Sequence, residues 1–369
     1  MHHLLKHVRY ILSTIFKERH SVATYRAYYG QDRDREYFER IFQSANINFI
    51  IGSGASLPAI SVLGDIESEL EALVRAGKDD EYFSKSESFL DNVWKANNVL
   101  LKRSLPAEVI LPTLIDDVVS TQNNYAKLMR ALEMLLTRRR TGLLPRRINL
   151  FTTNYDLFIE DAAVKNNNVI LNDGFRQRAD IYNRTVFDTK CFYQTIHATG
   201  NLYNYSVELP TVNLIKLHGS LSWHSYDKEI YYSIKDMKPV AFNTPKEKQD
   251  WVMSHQLVLP RKDKFRETLL ENVYYDLLRT YSNELDKEGS LLIVFGFSFA
   301  DEHIETLTKK ALRNATLKIV IFAYNEAAKD LFLDKFRDYS NVDVVFTPGA
   351  PLDFKKMNEI ITSFLGGMK

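Results

Sequence analysis

Three short segments carry the residue types that chemistry needs: Gly52-Ser53-Gly54-Ala55-Ser56, Thr152-Thr153-Asn154-Tyr155-Asp156 and Leu217-His218-Gly219-Ser220. The first has small residues that let backbone N–H groups approach a diphosphate at the start of the next helix. The second supplies a carboxamide and a carboxylate. The third supplies an imidazole, whose protonation changes near neutral pH. Together they point to a nucleotide site with chemistry beside it. Each segment also has a plainer reading. Gly52 and Gly54 fit the first half of the dinucleotide pattern, but Leu57 stands at the third glycine position, and an ordinary strand-to-helix turn uses the same residues. Asp156 can cap a helix starting near Leu157, Asn154 can stabilise a turn, and His218 can be a satisfied histidine at a strand end. Their joint occurrence, in this order and each after its own strand, favours a site.

The elements that must position them are apolar runs from Asn46 to Ile51, Arg147 to Phe151 and Val212 to Leu217. In an open α/β sheet, ligands bind at the carboxyl ends of the strands. The last third alternates strand Ser290 to Gly296, helix from Asp301, strand Leu317 to Ala323, helix from Asn325, strand Val342 to Thr347 and helix from Leu352. The fold class expected is α/β, a Rossmann-type parallel sheet flanked by helices. Residues 46–369 form that domain. It carries a helical insertion at about 63–140, too long for a direct crossover, with stripes Leu63, Ile66, Leu70, Leu73 and Tyr125, Leu128, Leu132, Leu135. An irregular insertion at about 166–210 holds short β-like pieces such as Tyr182 to Phe187. Residues 1–45 read as an N-terminal helical extension before the first strand. Its apolar face of Leu4, Leu5, Val8, Ile11, Leu12, Ile15 and Phe16 packs on the chain's own core or at a subunit interface. Gln31 to Glu36 reads as a solvated charge run.

Composition narrows the classes. A chain of 369 residues, 45% hydrophobic, can bury a full core. A net charge of +1 gives no global reason to expect nucleic acid or an acidic membrane surface. The single cysteine, Cys191, excludes an internal disulfide and any zinc site needing two or more cysteines. Charge interrupts the apolar residues of the start too often for a signal core or membrane span, so the expected location is the cytoplasm. Asp301-Glu302-His303 reads as a helix cap ahead of a metal site. Arg138-Arg139-Arg140 with Arg146-Arg147 reads as a solvated helix end, with a protein or nucleic-acid contact as the alternative. His2, His3 and His7 read as a frayed terminus or a chelating group. The 20 tyrosines and 22 phenylalanines read as core.

With GSGAS, TTNYD and KLHGS followed by a strand ending FGFSFAD and another ending in Asn-Glu, the chain resembles the NAD-binding core of sirtuins. It is most similar to the bacterial sirtuin-like NAD hydrolases of antiphage defence. The resemblance implies that Gly52, Ser53, Gly54, Ala55 and Ser56 hold the diphosphate, that Thr153, Asn154 and Asp156 lie near the nicotinamide and its ribose, and that His218, followed by Gly219, is the catalytic histidine. It implies that Gly296 and Ser298 meet phosphate and ribose, and that Asn325 and Glu326 meet the adenosine ribose. Departures are Thr153 in place of glutamine, no Pro-Asp-Phe-Arg stretch after Pro58, and too few cysteines for a zinc ribbon. Acyl-lysine chemistry is therefore weakened, and no zinc or other metal is expected.

The activity implied is hydrolysis of NAD, as substrate, to nicotinamide and ADP-ribose through an oxocarbenium-like state, with Asn154 and His218 catalytic. Partners implied are a second copy of the chain and a HerA-type ATPase. Direct nucleic-acid binding stays open and no membrane association is expected. Rival readings are an ADP-ribosyltransferase or deacylase, a sensing module for NAD or ADP-ribose, and a nuclease subunit.

Overall fold

The apolar runs become strands buried on both faces. In the computed structural model, which describes residues 22–61, 64–103, 112–139, 144–200, 205–227, 229–234, 242, 244–254 and 268–366, eight strands form one parallel sheet. They are β1 (Thr24–Ala27), β2 (Asn46–Ile51), β3 (Arg147–Thr152), β4 (Ile170–Asn172), β7 (Thr211–Lys216), β10 (Ser290–Phe295), β11 (Lys318–Phe322) and β12 (Val342–Phe346). Their order is β1-β12-β11-β10-β2-β3-β7-β4. Two small hairpins, β5 (His197–Gly200) with β6 (Tyr205–Glu208) and β8 (Trp223–Tyr226) with β9 (Glu229–Tyr232), stand apart from it.

Side chains alternate between the two faces, as strand geometry requires. Ile47, Phe49 and Ile51 of β2 join one core cluster, with Leu291, Ile293 and Phe295 of β10. Ile50, Leu292 and Val294 join the other. The first face is covered by α1 (Asp32–Gln43), α4 (Pro112–Thr137), α5 (Phe158–Val164) and α10 (Phe354–Leu365), where Phe42 stacks on Phe364 at 4.8 Å between centroids. The second is covered by α7 (Thr268–Asp286), α8 (Glu302–Ala311) and α9 (Glu326–Lys335). Burial on both faces explains why the strands read as continuous apolar runs.

One polar row interrupts this core. Asn149 donates to Asn48 (2.8 Å), Asn213 donates to Asn149 (2.8 Å), and Asn172 donates to Asn213 (2.9 Å). The four amides cross β2, β3, β7 and β4 in register, Asn48 facing Asn149, Asn149 facing Asn213, and Asn213 facing Asn172. The row closes at one end on the Asn46 carbonyl (3.3 Å) and at the other on the Cys191 carbonyl (2.8 Å). A buried amide without partners is costly, so this row is satisfied only when the strands pair in this register.

Two readings of the N-terminal part are corrected. The sheet begins at Thr24: β1 is its edge strand, paired with β12, so the first strand is not the Asn46 run. A four-residue edge strand with two exposed positions lacks the long apolar run that marks the inner strands. The Gln31–Glu36 stretch is the start of α1, and Asp34 is buried, accepting from the N–H groups of Tyr29 (3.0 Å) and Gln31 (3.2 Å). The face from Leu4 to Phe16, and His2, His3 and His7, lie outside the described residues. The segment at 63–140 contains α2 (Gly64–Ala76), α3 (Asp79–Leu100) and α4, of which α4 packs directly on α5, α10 and β3. The basic cluster is not a solvated helix end at Arg139. That side chain is buried and donates to the carbonyls of Ala45 (2.6 Å) and Pro145 (3.0 Å), and burial lowers its pKa to about 10 against the pull of Glu208. Arg140 lies outside the described residues.

Asn149→Ala removes the middle of the amide row and leaves two buried partners unsatisfied. It is expected to lower stability by about 2–4 kcal/mol, measured by urea denaturation at neutral pH.

Candidate active site

The parallel sheet delivers five loops along one edge. In spatial order they follow β11 (Asn325, Glu326), β10 (Gly296, Ser298), β2 (Gly52 to Ser56), β3 (Thr153 to Asp156) and β7 (His218, Gly219). After β2 the chain proceeds to β3 on one side, and β10 later fills the other side. The point where direction reverses, between β2 and β10, is where a doubly wound sheet opens a crevice.

At that point the two loops touch through glycine. A Cβ on Gly52 would lie 2.4 Å from the Gly296 carbonyl oxygen, one on Gly54 2.8 Å from the Gly296 Cα, and one on Gly296 2.6 Å from the Ala55 nitrogen. Gly296 also has φ of +61°, which favours glycine. Gly52 N–H donates to Phe295 (3.0 Å), Gly54 N–H to Gly296 (2.9 Å) and Ala55 N–H to Gly52 (3.0 Å). Those three N–H groups are therefore used inside the protein, and the glycines serve loop contact. The segment after β2 is a short 3₁₀ turn, Ser53–Ser56.

Asn154 sits beside this turn, 3% exposed. Its Nδ2 donates to the Gly52 carbonyl (3.0 Å) and to Ser56 Oγ (3.0 Å), which fixes the direction of the amide. Its Oδ1 is buried and accepts no hydrogen bond among the described residues. Ser56 Oγ in turn donates to Asp156 Oδ2 (2.6 Å), while Asp156 Oδ1 accepts from Phe158 N–H (3.3 Å). Asp156 thus stands one residue before the N-cap, Leu157, and only its Oδ1 reaches the helix start. Tyr125 from α4 approaches the same group, its hydroxyl 3.4 Å from Ser56 Oγ and 3.5 Å from Asn154 Nδ2. Burial, with the nearby Asp156, pushes the Tyr125 phenol well up and keeps it neutral.

A buried cation supports this network from below. Lys216 Nζ donates to the Asp156 carbonyl, to Ser220 Oγ (3.0 Å) and to Glu160 (2.7 Å). Burial raises the carboxyl pKa of both Asp156 and Glu160, and Lys216 opposes the rise in each. One cation between two buried carboxylates limits the desolvation cost of this layer. The insertion adds a further brace, since Asn97 Oδ1 of α3 accepts from Leu157 N–H (2.9 Å).

His218 is 3% exposed and its Nε2 lies 2.9 Å from Asp301 Oδ2. Asp301 is the N-cap of α8, and its Oδ1 accepts from the N–H groups of His303 (2.8 Å) and Ile304 (3.1 Å). Burial raises the Asp301 pKa, but the His218 contact and the two backbone donors outweigh it and bring it down to about 2. The turn that delivers Asp301 is strained. Phe299 has φ of +57°, a left-handed conformation that costs about 1–2 kcal/mol. Its ring is fully buried against Phe297 (4.9 Å) and Phe336 (5.0 Å), and its carbonyl accepts from Lys335 (3.0 Å).

The structure thus gathers Gly52, Gly54, Ala55, Ser56, Asn154, Asp156 and Gly296 into one contact network, with Ser53 and Asn154 on a narrow cleft of about 10 Å³ walled by Phe89 and Val93 of α3. Thr153 is buried beside them, and His218 and Gly219 close the row at the β7 end. Ser298 does not join them: it is exposed, on a separate groove of about 610 Å³ between α8 and α9. Asn325 caps α9 by accepting from Ala328 N–H (2.9 Å), and Glu326 is exposed in its first turn. Sequence reasoning missed Asp301, Tyr125 and Lys216. Lys216 stood next to the histidine motif, and Asp301 was visible only as a cap. Among the described residues no group of three or more His, Cys, Asp or Glu side chains gathers as metal ligands, and no helix is long and apolar enough to cross a membrane.

Gly52→Ala drives a methyl group into the β10 loop and is expected to cost about 1–3 kcal/mol, seen as a lowered urea midpoint. Asp301 stabilises the fold only while ionised. With its pKa at about 2 against an unfolded value near 3.9, it contributes about 2 kcal/mol that is complete above about pH 4 and is lost as pH falls towards about 2. Asp301→Ala should remove that part of the pH dependence, read from unfolding curves across the acid range.

The model of the SIR2-like domain matches residues 148–345, from β3 to the end of β12. The GSGAS turn precedes the matched region. Among curated proteins, none matches the chain. The match covers more than half of the 369 residues and all the strands from β3 to β12, and the chain belongs to the SIR2-like domain family.

Proposed function

We propose that this protein hydrolyses NAD, releasing nicotinamide and leaving ADP-ribose. SIR2-like domains use NAD. The observation that carries the finer reading is Asn154 Oδ1, a buried acceptor with no partner among the described residues, held in one direction by the bonds of its own Nδ2. A ribose hydroxyl or a water donates to such an oxygen, and an empty apolar pocket would not need it. Five strand ends at about 4.8 Å spacing give an edge of about 19 Å, which suits an elongated ligand with two riboses.

In this reading the diphosphate lies at the Gly52–Ser56 turn beside Gly296, with Ser53 facing the cleft. The adenosine end extends past β10 towards Asn325 and Glu326, and Ser298 marks that side. Thr153 and Asp156 border the nicotinamide ribose, and Gly219 lets the chain turn away after His218. Asn154 holds the attacking water or the ribose. Water oxygen bonds to the ribose carbon as the carbon–nitrogen bond breaks. That electron pair returns to the nicotinamide ring nitrogen and cancels its charge, and the water proton passes to His218. No metal is required by these steps.

A cleft of about 10 Å³ is far below the range of about 300–1,000 Å³ usual for ligand sites. This supports an activity held in check until the walls separate. A second copy of the chain or a HerA-type ATPase fits as the trigger, and antiphage defence by NAD depletion fits as the setting.

Incubation with NAD and chromatography of the products is the test. The wild type should yield equal amounts of nicotinamide and ADP-ribose. Asn154→Ala and His218→Ala should each lower release at least about 100-fold with folding retained. Adenine label found on protein would identify a transferase instead, and unchanged release in both variants would overturn the assignment.

A further inference from the structure

We propose that Lys216 is a positioning residue for the cleavage, tying the loop that bears Asn154 to the turn that bears His218 so that both meet one substrate. The inference rests on the NAD-cleaving reading for its chemistry, and on geometry for the tie itself. Lys216 ends β7 and is paired in register with Thr152, which ends β3. Both side chains are buried, and both are turned to the loops that follow. Thr152 Oγ1 donates to the Ile51 carbonyl (2.8 Å) and accepts from the Asn154 N–H (3.0 Å), which joins the end of β2 to the Asn154 loop. Lys216 spans the next interval.

An ammonium group has three protons to give and accepts none. Lys216 Nζ donates to the Asp156 carbonyl in the Asn154 loop, to Ser220 Oγ (3.0 Å) two residues beyond His218, and to Glu160 Oε1 (2.7 Å) on α5. Neutralising the charge takes only the last of these, and Glu160 Oε2 accepts no hydrogen bond among the described residues, so the ion pair is held at a single point. The other two protons cross from one loop to the other. Ser220 Oγ is in turn fixed by Ser222, accepting from its N–H (3.3 Å) and lying 3.0 Å from its Oγ. Beside this, the Leu221 N–H donates to the Tyr155 carbonyl (3.1 Å), a second bond between the same two segments.

The site needs such a tie because its two working groups stand on different strands. In the reaction, water attacks the ribose carbon while Asn154 holds the water or the ribose and His218 takes the proton. A displacement of about 1 Å between such groups costs about 10²-fold in rate. Lys216 touches none of the reacting atoms and exchanges no proton with them. Stability does not account for it either, since a buried ion pair replaced by neutral side chains of similar size often leaves a protein as stable or more so.

The test is the double variant Lys216→Met with Glu160→Gln, which removes the ammonium and its counter-ion together. A merely structural role leaves turnover per folded molecule unchanged. Positioning lowers kcat for nicotinamide release by about 10²-fold with KM little changed. Ser220→Ala keeps the ion pair and removes one end of the tie, and should lower kcat by about 10-fold, again with KM little changed. It decides the question if the double variant does not fold. Hydrogen exchange of the Leu221 N–H gives a readout that needs no substrate. It should quicken at least about 10-fold in both variants, while the N–H groups of Leu150 and Leu214 within the strands keep their wild-type rates. Wild-type kcat in either folded variant overturns the proposal, as does unchanged Leu221 exchange. If the wild type releases no nicotinamide, the NAD reading fails, while Leu221 exchange still decides whether Lys216 ties the loops.

Discussion

A row of four asparagine amides governs where everything else in this protein can sit. Strand side chains alternate faces, so a one-residue slip between β2, β3 and β7 would exchange the apolar sets packed under the two helical layers. Apolar burial alone resists a one-residue slip far better than a two-residue slip, which restores the faces. The amides Asn48, Asn149, Asn213 and Asn172 remove that ambiguity, because a shifted row leaves carboxamides in the core with no partners. The interval from Asn149 to Asn154 equals that from Asn213 to His218. Register in the middle of the sheet therefore becomes alignment at its carboxyl edge, where a fraction of an ångström decides whether groups can cooperate.

Above that row, rigidity comes from close contact and from charge. The β2 and β10 loops lie so near each other that only glycine fits at Gly52, Gly54 and Gly296. Lys216 lies under the Asn154 loop, joined to Glu160 and to the Asp156 backbone. The helices between β2 and β3 take part as well, since Asn97 and Tyr125 reach the Asn154 loop from α3 and α4. What resembles an insertion by length is thus a wall and brace of the site.

The inner strands were legible because burial on both faces leaves long apolar runs, and the helices α8 to α10 because they alternate strictly with β10 to β12. β1 was not, since Thr24-Tyr25-Arg26-Ala27 owes its place to a partner more than three hundred residues away, and edge strands carry little apolar signal of their own. Arg139 looked like part of an exposed basic group because charge suggests solvent; three carbonyls close to it in space, two of them around a hundred residues away in sequence, reverse that. At the site, Asn154, Asp156 and His218 were visible as residue types after strands. The glycines were visible too, but for contact with Gly296, which no local pattern announces. Asp301 is instructive in another way. Its capping role accounted for it completely at the level of sequence, and so its second oxygen, turned to His218, had no signal.

The sheet order has a bearing on how such a protein is made. β10 lies between β11 and β2, and β12 must arrive before β1 has anything to pair with. A ribosome-bound chain that ends before Ser290 holds the Asn154 loop and the His218 turn, yet lacks both the glycine contact from the β10 loop and the carboxylate beside the imidazole. Fragments from stalled translation or proteolysis therefore lack the contacts that fix the Asn154 loop and the His218 ring, which are completed only once β10 and the turn before α8 have been made.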